Sequence, residues 1–247
     1  MKDKLIVALD VETLKEAKRF VDILYPQVTM FKVGAQLFAA CGPEAIKMIG
    51  EKGARVFLDL KFHDIPTTVY SAVASGTASC VVITPVITTS TVLAEGNIRV
   101  NLTPPVFMMT VHTKGGREML EKAAKGAKEK ARELNIEKPY VVGVTRLTSD
   151  PDSGDIQGQV LEAARLAKDA GLDGVVCAVG EAAMIRKEFG KDFIIVTPGI
   201  RPKGAAADDQ KRTATASEAI AAGADFIVVG RPILKAPDPI KAVKELI

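Results

Sequence analysis

The sequence has little of what would announce a metal, a disulfide framework or a membrane. Its three cysteines, Cys41, Cys80 and Cys177, are odd in number, far apart and form no CxxC pair. Neither a disulfide scaffold nor a zinc cluster is expected, and a reducing, cytoplasmic setting fits. The two histidines, His63 and His112, have no partner at metal-ligand spacing. No run of about 18 apolar residues occurs, and the short apolar stretch from Leu5 to Leu9 is too brief for a signal-peptide core. Export and membrane insertion are therefore not expected. Charge of one sign is missing too: 33 basic residues are scattered among 30 acidic ones, for a net charge of +3. That leaves no basic stripe for nucleic acid.

What is present points to a globular enzyme. Of 247 residues, 47% are apolar and 26% charged, ample to form a core and no sign of disorder. The length suits one α/β domain spanning residues 1–247, a (β/α)8 TIM barrel. Eight short apolar runs read as strands: Leu5–Leu9, Met30–Val33, Arg55–Leu60, Val106–Val111, Tyr140–Val144, Gly174–Ala178, Phe193–Thr197 and Phe226–Val229. Between them lie segments with apolar residues at helical spacing, such as Leu14–Leu24, Val160–Ala170 and Glu181–Phe189. Lys114 to Glu133 reads as an exposed helix, with Glu118 and Glu121 four residues before Lys122 and Lys125. Alternation of strand and helix throughout implies parallel strands closing into a barrel.

Conspicuous polar residues sit where the apolar runs end: Asp10, Lys32, Asp59 with Lys61, His112, Thr148, Arg201, and Gly230 with Arg231. In a parallel barrel these ends converge on one rim, where barrels place their chemistry. One interval is atypical. From about Thr77 to Pro105 the chain is too long for a simple helix-to-strand connection, and it should emerge on the face opposite the active rim, in a stability or interface role.

The densest chemical signal is Asp59-Leu60-Lys61-Phe62-His63-Asp64-Ile65-Pro66. Residues two apart on a strand share a side, so Asp59 and Lys61 face the barrel interior while Leu58 and Leu60 pack outward. Lys32, ending the second strand, brings another ammonium, and Asp64 offers a second carboxylate to its own site or to a neighbouring subunit's. Such pairs also occur as structural neutralisation. At about 4 Å and an effective dielectric near 20, each contact is worth roughly 4 kcal/mol, enough to fix charge states across an alternating array. A second signal joins Pro198-Gly199-Ile200-Arg201-Pro202, Asp209-Gln210-Lys211-Arg212 and Val229-Gly230-Arg231-Pro232. Glycines that admit a close anion and arginines that fork onto phosphate oxygens, at the last two strand ends, imply a phosphorylated ligand.

These strings resemble the orotidine 5'-monophosphate decarboxylase family in its compact bacterial form. The resemblance covers nearly the whole chain in order, and DxKFHDIP is its most specific part, since DxKxxD alone is shared by related barrels. It implies Lys61 as the proton donor to C6 of the pyrimidine, within a network of Asp59, Lys61, Asp64 and Lys32. It also implies a homodimer in which Asp64 and Ile65 reach into the partner's site, with Thr68 supplied alongside. Asp10, Lys32 and Thr68 resemble ribose-site residues, and Thr148 resembles the pyrimidine-amide contact. Arg201, Gln210, Gly230 and Arg231 resemble the phosphate grip, with Pro198 also at the substrate. No metal or organic cofactor is implied. Thr67 departs from the asparagine common after Ile-Pro. Two rivals remain: a magnesium-dependent sugar-phosphate barrel, such as a hexulose-phosphate synthase or a keto-gulonate-phosphate decarboxylase, and a non-catalytic barrel that merely binds a phosphorylated ligand.

Overall fold

The computed structural model describes residues 2–79, 82–85, 100–103, 105–147, 154–202 and 213–246. Its strands are β1 (Leu5–Ala8), β2 (Met30–Gly34), β3 (Arg55–Phe62), β4 (Val82–Pro85), β5 (Val100–Thr103), β6 (Val106–His112), β7 (Tyr140–Val144), β8 (Gly174–Val176), β9 (Ile194–Thr197) and β10 (Phe226–Val229). Its helices are α1 (Leu14–Leu24), α2 (Ala35–Cys41), α3 (Glu44–Glu51), α4 (Pro66–Ala78), α5 (Gly116–Leu134), α6 (Ile156–Asp169), α7 (Val179–Phe189), α8 (Ala216–Ala221), α9 (Arg231–Leu234) and α10 (Pro239–Leu246). Eight parallel strands close in the order β1-β10-β9-β8-β7-β6-β3-β2. The eight apolar runs read from the sequence are these eight strands: Tyr140–Val144 and Phe226–Val229 match at both ends, and the other six differ at one end by one or two residues. The fold is the (β/α)8 barrel expected.

Strand alternation divides the core into two layers. Ile6, Ala8, Met30, Phe57, Met108, Val142, Val196 and Val228 meet inside the barrel. Their strand neighbours, including Val7, Phe31, Val33, Val56 and Leu58, turn outward against the helices. Helix α1 shows why the segments between are helical. Thr13 caps its first turn by accepting from the Glu16 amide at 3.2 Å, and Ala17, Phe20, Val21 and Leu24 bury one face. In α5 the expected exposed helix forms, but its ion pairs are Arg117–Glu121, Lys125–Glu129 and Lys130–Glu133 rather than the Glu118–Lys122 and Glu121–Lys125 pairs suggested by spacing. Side chains along a solvated face choose among several neighbours three or four residues away.

At the lower end of the barrel one device appears twice. After α6, Gly171 takes φ 83° and Leu172 bonds back to Ala167; after α8, Gly223 takes φ 99° and Ala224 bonds back to Ala219. The next residue is an aspartate in each case. Asp173 accepts from the Val141 amide at 2.8 Å and pairs with Lys138. Asp225 accepts from the Ile195 amide at 2.8 Å and pairs with Arg186. The glycine turn thus closes each helix, and the carboxylate after it satisfies the second amide of the neighbouring strand, β7 or β9.

The atypical segment is only partly described. β4 and β5 pair antiparallel as a two-stranded sheet outside the barrel, and residues 80–81, 86–99 and 104, Cys80 among them, lie outside the described residues, as do Thr148 and Gln210. Cys41 is half-buried and Cys177 buried. Among the described residues no helix is long and apolar enough to cross a membrane.

Candidate active site

The upper strand ends surround a cavity of about 230 Å³. Its floor is the inner apolar layer, through Ala8, Phe57, Val176 and Val228. One wall carries Asp10, Lys32, Asp59 and Lys61, and Pro198, Arg201, Gly230 and Arg231 line it as well. Eight residues selected from sequence thus share one space.

The acidic and basic side chains interlock. Lys61 Nζ lies 2.8 Å from Asp59 Oδ2, and Lys32 Nζ is 3.7 Å from the same oxygen. Lys32 Nζ also donates to Asp10 Oδ1 at 2.9 Å. Burial, the largest single influence on Asp59, favours its neutral form. The charges of Lys32 and Lys61 together with hydrogen bonds from Lys61 and Thr110 more than offset it, and the carboxyl is held below the ordinary carboxylate value. An ionised aspartate is thereby fixed between two ammonium groups. Gly34 is part of the same construction. A Cβ there would stand 2.8 Å from Lys32 Nζ and 3.5 Å from Asp10 Oδ1, so the absence of a side chain makes room for the lysine head.

Local backbone departs from a regular strand just here. The register of β3 on β6 jumps from Leu58↔Met109 to Phe62↔Val111, and Lys61 sits at φ 50°. A left-handed conformation at a non-glycine residue costs about 1–3 kcal/mol and persists where surrounding contacts over-determine it. Arg201 is 6% exposed and its guanidinium is tied to the Ile200 carbonyl at 3.0 Å, while its own amide donates to Ala214.

Asp64, Ile65 and Thr68 do not join the cavity within one chain. All three are exposed, Ile65 to 64%, and Asp64 Oδ1 accepts from the Ile65 amide at 2.7 Å. Their side chains occupy the loop after β3 and the first turn of α4. His112 is buried and accepts from the Lys114 amide through Nδ1, and the exposed His63 ring lies 5.6 Å from it; neither histidine lines the cavity. Sequence reasoning missed Arg146, Leu147 and Cys177, which do line it, and Thr110, which does not but bonds to Asp59. Arg146 and Leu147 follow β7 directly, so the strand-end rule that found Thr148 could have found them. Nothing in its sequence context distinguishes Thr110.

Comparison with known proteins gives one consistent result. The pattern of the family described as "Orotidine 5'-phosphate decarboxylase / HUMPS family" matches residues 3–95 and 100–246. The orotidine 5'-phosphate decarboxylase of Moorella thermoacetica is 42% identical, with 99% of this chain and 91% of that protein covered. That of Trichlorobacter lovleyi is 41% identical, covering 100% and 94%. Among solved structures, orotidine 5'-phosphate decarboxylase from Lactobacillus acidophilus superposes with a TM-score of 0.78 at 31% identity, covering 99% of this chain and 97% of that one.

Proposed function

The chain belongs to the orotidine 5'-phosphate decarboxylase / HUMPS family, and from that premise we propose that it is a carboxy-lyase converting orotidine 5'-monophosphate to uridine 5'-monophosphate. This is the closing step of pyrimidine nucleotide synthesis, carried out here in the cytoplasm and without a cofactor. The observation that carries the reading is the shared contact of Lys61 and Lys32 with Asp59 Oδ2, at 2.8 and 3.7 Å, in one cavity with Arg201 and Arg231.

The chemistry demands such an array. Loss of carbon dioxide from C6 leaves an electron pair in an sp2 orbital in the ring plane, beyond the reach of the ring π system. Only a charge placed in advance can stabilise it. In this mechanism the Lys61 ammonium does so as the C–C bond breaks, then passes a proton to C6. Asp59, held ionised, orients Lys61, and Lys32 ties Asp59 to Asp10, the pair assigned to the ribose hydroxyls. Arg201 and Arg231, with Gln210, Pro198 and Gly230, take the phosphate, and binding there lowers the barrier at the distant ring. Thr148 meets the pyrimidine amide. Asp64, Ile65 and Thr68 act in the site of a second copy, which completes the Asp-Lys-Asp-Lys network and makes the homodimer the active unit. The exposure of an apolar side chain, Ile65, beside Asp64 supports a buried position for both in a dimer.

The test is the fall in orotidine 5'-monophosphate absorbance in the presence of a chelator, for the native protein and for Lys61→Ala. Native turnover persists and the variant loses roughly 10²- to 10⁴-fold or more, the usual share of a general acid. Equal rates would remove the role given to Lys61. A native protein that leaves orotidine 5'-monophosphate unchanged with and without chelator, but turns over a sugar phosphate when magnesium is supplied, would favour a magnesium-dependent sugar-phosphate enzyme instead.

A further inference from the structure

Thr110 is fully buried in the middle of β6 and stands opposite the irregular part of β3. Because Leu58 pairs with Met109 and Phe62 with Val111, Asp59, Leu60 and Lys61 face this single residue. The regular ladder is interrupted there, and a side chain takes its place. The Lys61 amide donates to Thr110 Oγ1 at 2.8 Å, and the same hydroxyl donates to Asp59 Oδ1 at 2.9 Å. Proton counting fixes both directions, since an amide can only donate and an ionised carboxylate can only accept. A closed circuit results: the hydroxyl joins the Lys61 backbone to one oxygen of Asp59, and the other oxygen holds Lys61 Nζ at 2.8 Å. Thr110 itself does not line the cavity.

We propose that Thr110 is a positioning residue for the decarboxylation, its hydroxyl holding Lys61 in the left-handed conformation and Asp59 in the orientation that together aim the ammonium at the reacting carbon. The proposal rests on the functional reading above. It follows from two facts: a left-handed lysine is kept only where neighbours enforce it, and this hydroxyl is the group that bonds both to its amide and to its counter-ion.

The experiment compares Thr110→Val, which keeps the shape and removes the hydroxyl, with Thr110→Ser, which keeps the hydroxyl. Turnover, melting temperature and crystal structure are measured for each. In Thr110→Val, kcat falls by roughly 10- to 100-fold, the scale of losing a hydrogen bond to a buried charge. KM stays within about threefold, because no substrate contact is removed. Thr110→Ser recovers most of the rate, whatever the two melting temperatures. A Thr110→Val enzyme within about twofold of native kcat, or a serine variant as slow as the valine one, overturns the proposal. Should the native protein not turn over orotidine 5'-monophosphate, the functional reading fails, and the crystal structure of Thr110→Val decides the positioning role separately. A Lys61 that keeps its positive φ and its contact with Asp59 refutes that role, and a displaced one upholds it.

Discussion

At Asp59 two ammonium groups outweigh burial, and this sets how the protein answers acid. A carboxyl with a lowered folded pKa adds stability that is fully present above its unfolded value, near 3.8. That stability drains as pH falls below 3.8 and is gone beneath the lowered folded value. Thermal melts of the native protein and Asp59→Asn, from about pH 3 to about pH 7, therefore show a gap that is steady at the neutral end and changes only in acid. A gap with no acid dependence would mean that Lys32 and Lys61 do not hold the carboxyl ionised. Gly34 offers a second residue-scale test. A methyl there meets the flexible end of Lys32, so Gly34→Ala folds with little change in melting temperature. Its kcat/KM falls by on the order of 10², the cost of misplacing a site group by about 1 Å, and steady-state kinetics check it. Asp59, Lys61 and Lys32 were legible from strand ends and period-two alternation. The left-handed turn at Lys61 was not, because it depends on what β6 presents across the pair.

Among elements, the contact of α4 with α5 is set by one small residue. A Cβ on Gly126 would stand 2.5 Å from the Tyr70 carbonyl oxygen, and backbone cannot yield as a side-chain tip can. Gly126→Ala forces the helices apart and lowers stability by about 1–3 kcal/mol, read by denaturant melts, with the cavity side chains unchanged in a crystal structure. The position matters because α4 begins in the loop that carries Asp64 and Ile65. Helix α5 was readable from charge spacing, yet its close approach to α4 was not, since a glycine inside a polar helix has no sequence mark that separates contact from accident. The paired aspartates at the barrel base had a readable sign, Ala-Gly-Leu-Asp at 170–173 and Ala-Gly-Ala-Asp at 222–225, which strand counting passed over.

For the whole molecule, the central expectation concerns two chains. If Asp64 serves the partner's site, Lys61→Ala and Asp64→Ala proteins are each inactive alone, but a hybrid dimer holds one site with both native residues. Random re-association of equal amounts then restores about a quarter of native activity, since half the dimers are hybrids with one working site. No recovery on mixing would place Asp64 in its own chain's site. By itself the sequence determined the eight-stranded barrel, because apolar period and chain length permit little else. It also determined the side chains at the strand ends, because parallel strands deliver those ends to one rim. Tertiary structure alone decided the register break between β3 and β6, the space that Gly34 leaves for Lys32, and the separation of Asp64 from the Asp59–Lys61 pair within one chain. Each of these depends on distances between segments remote in sequence, and periodicity along a single strand carries no record of them.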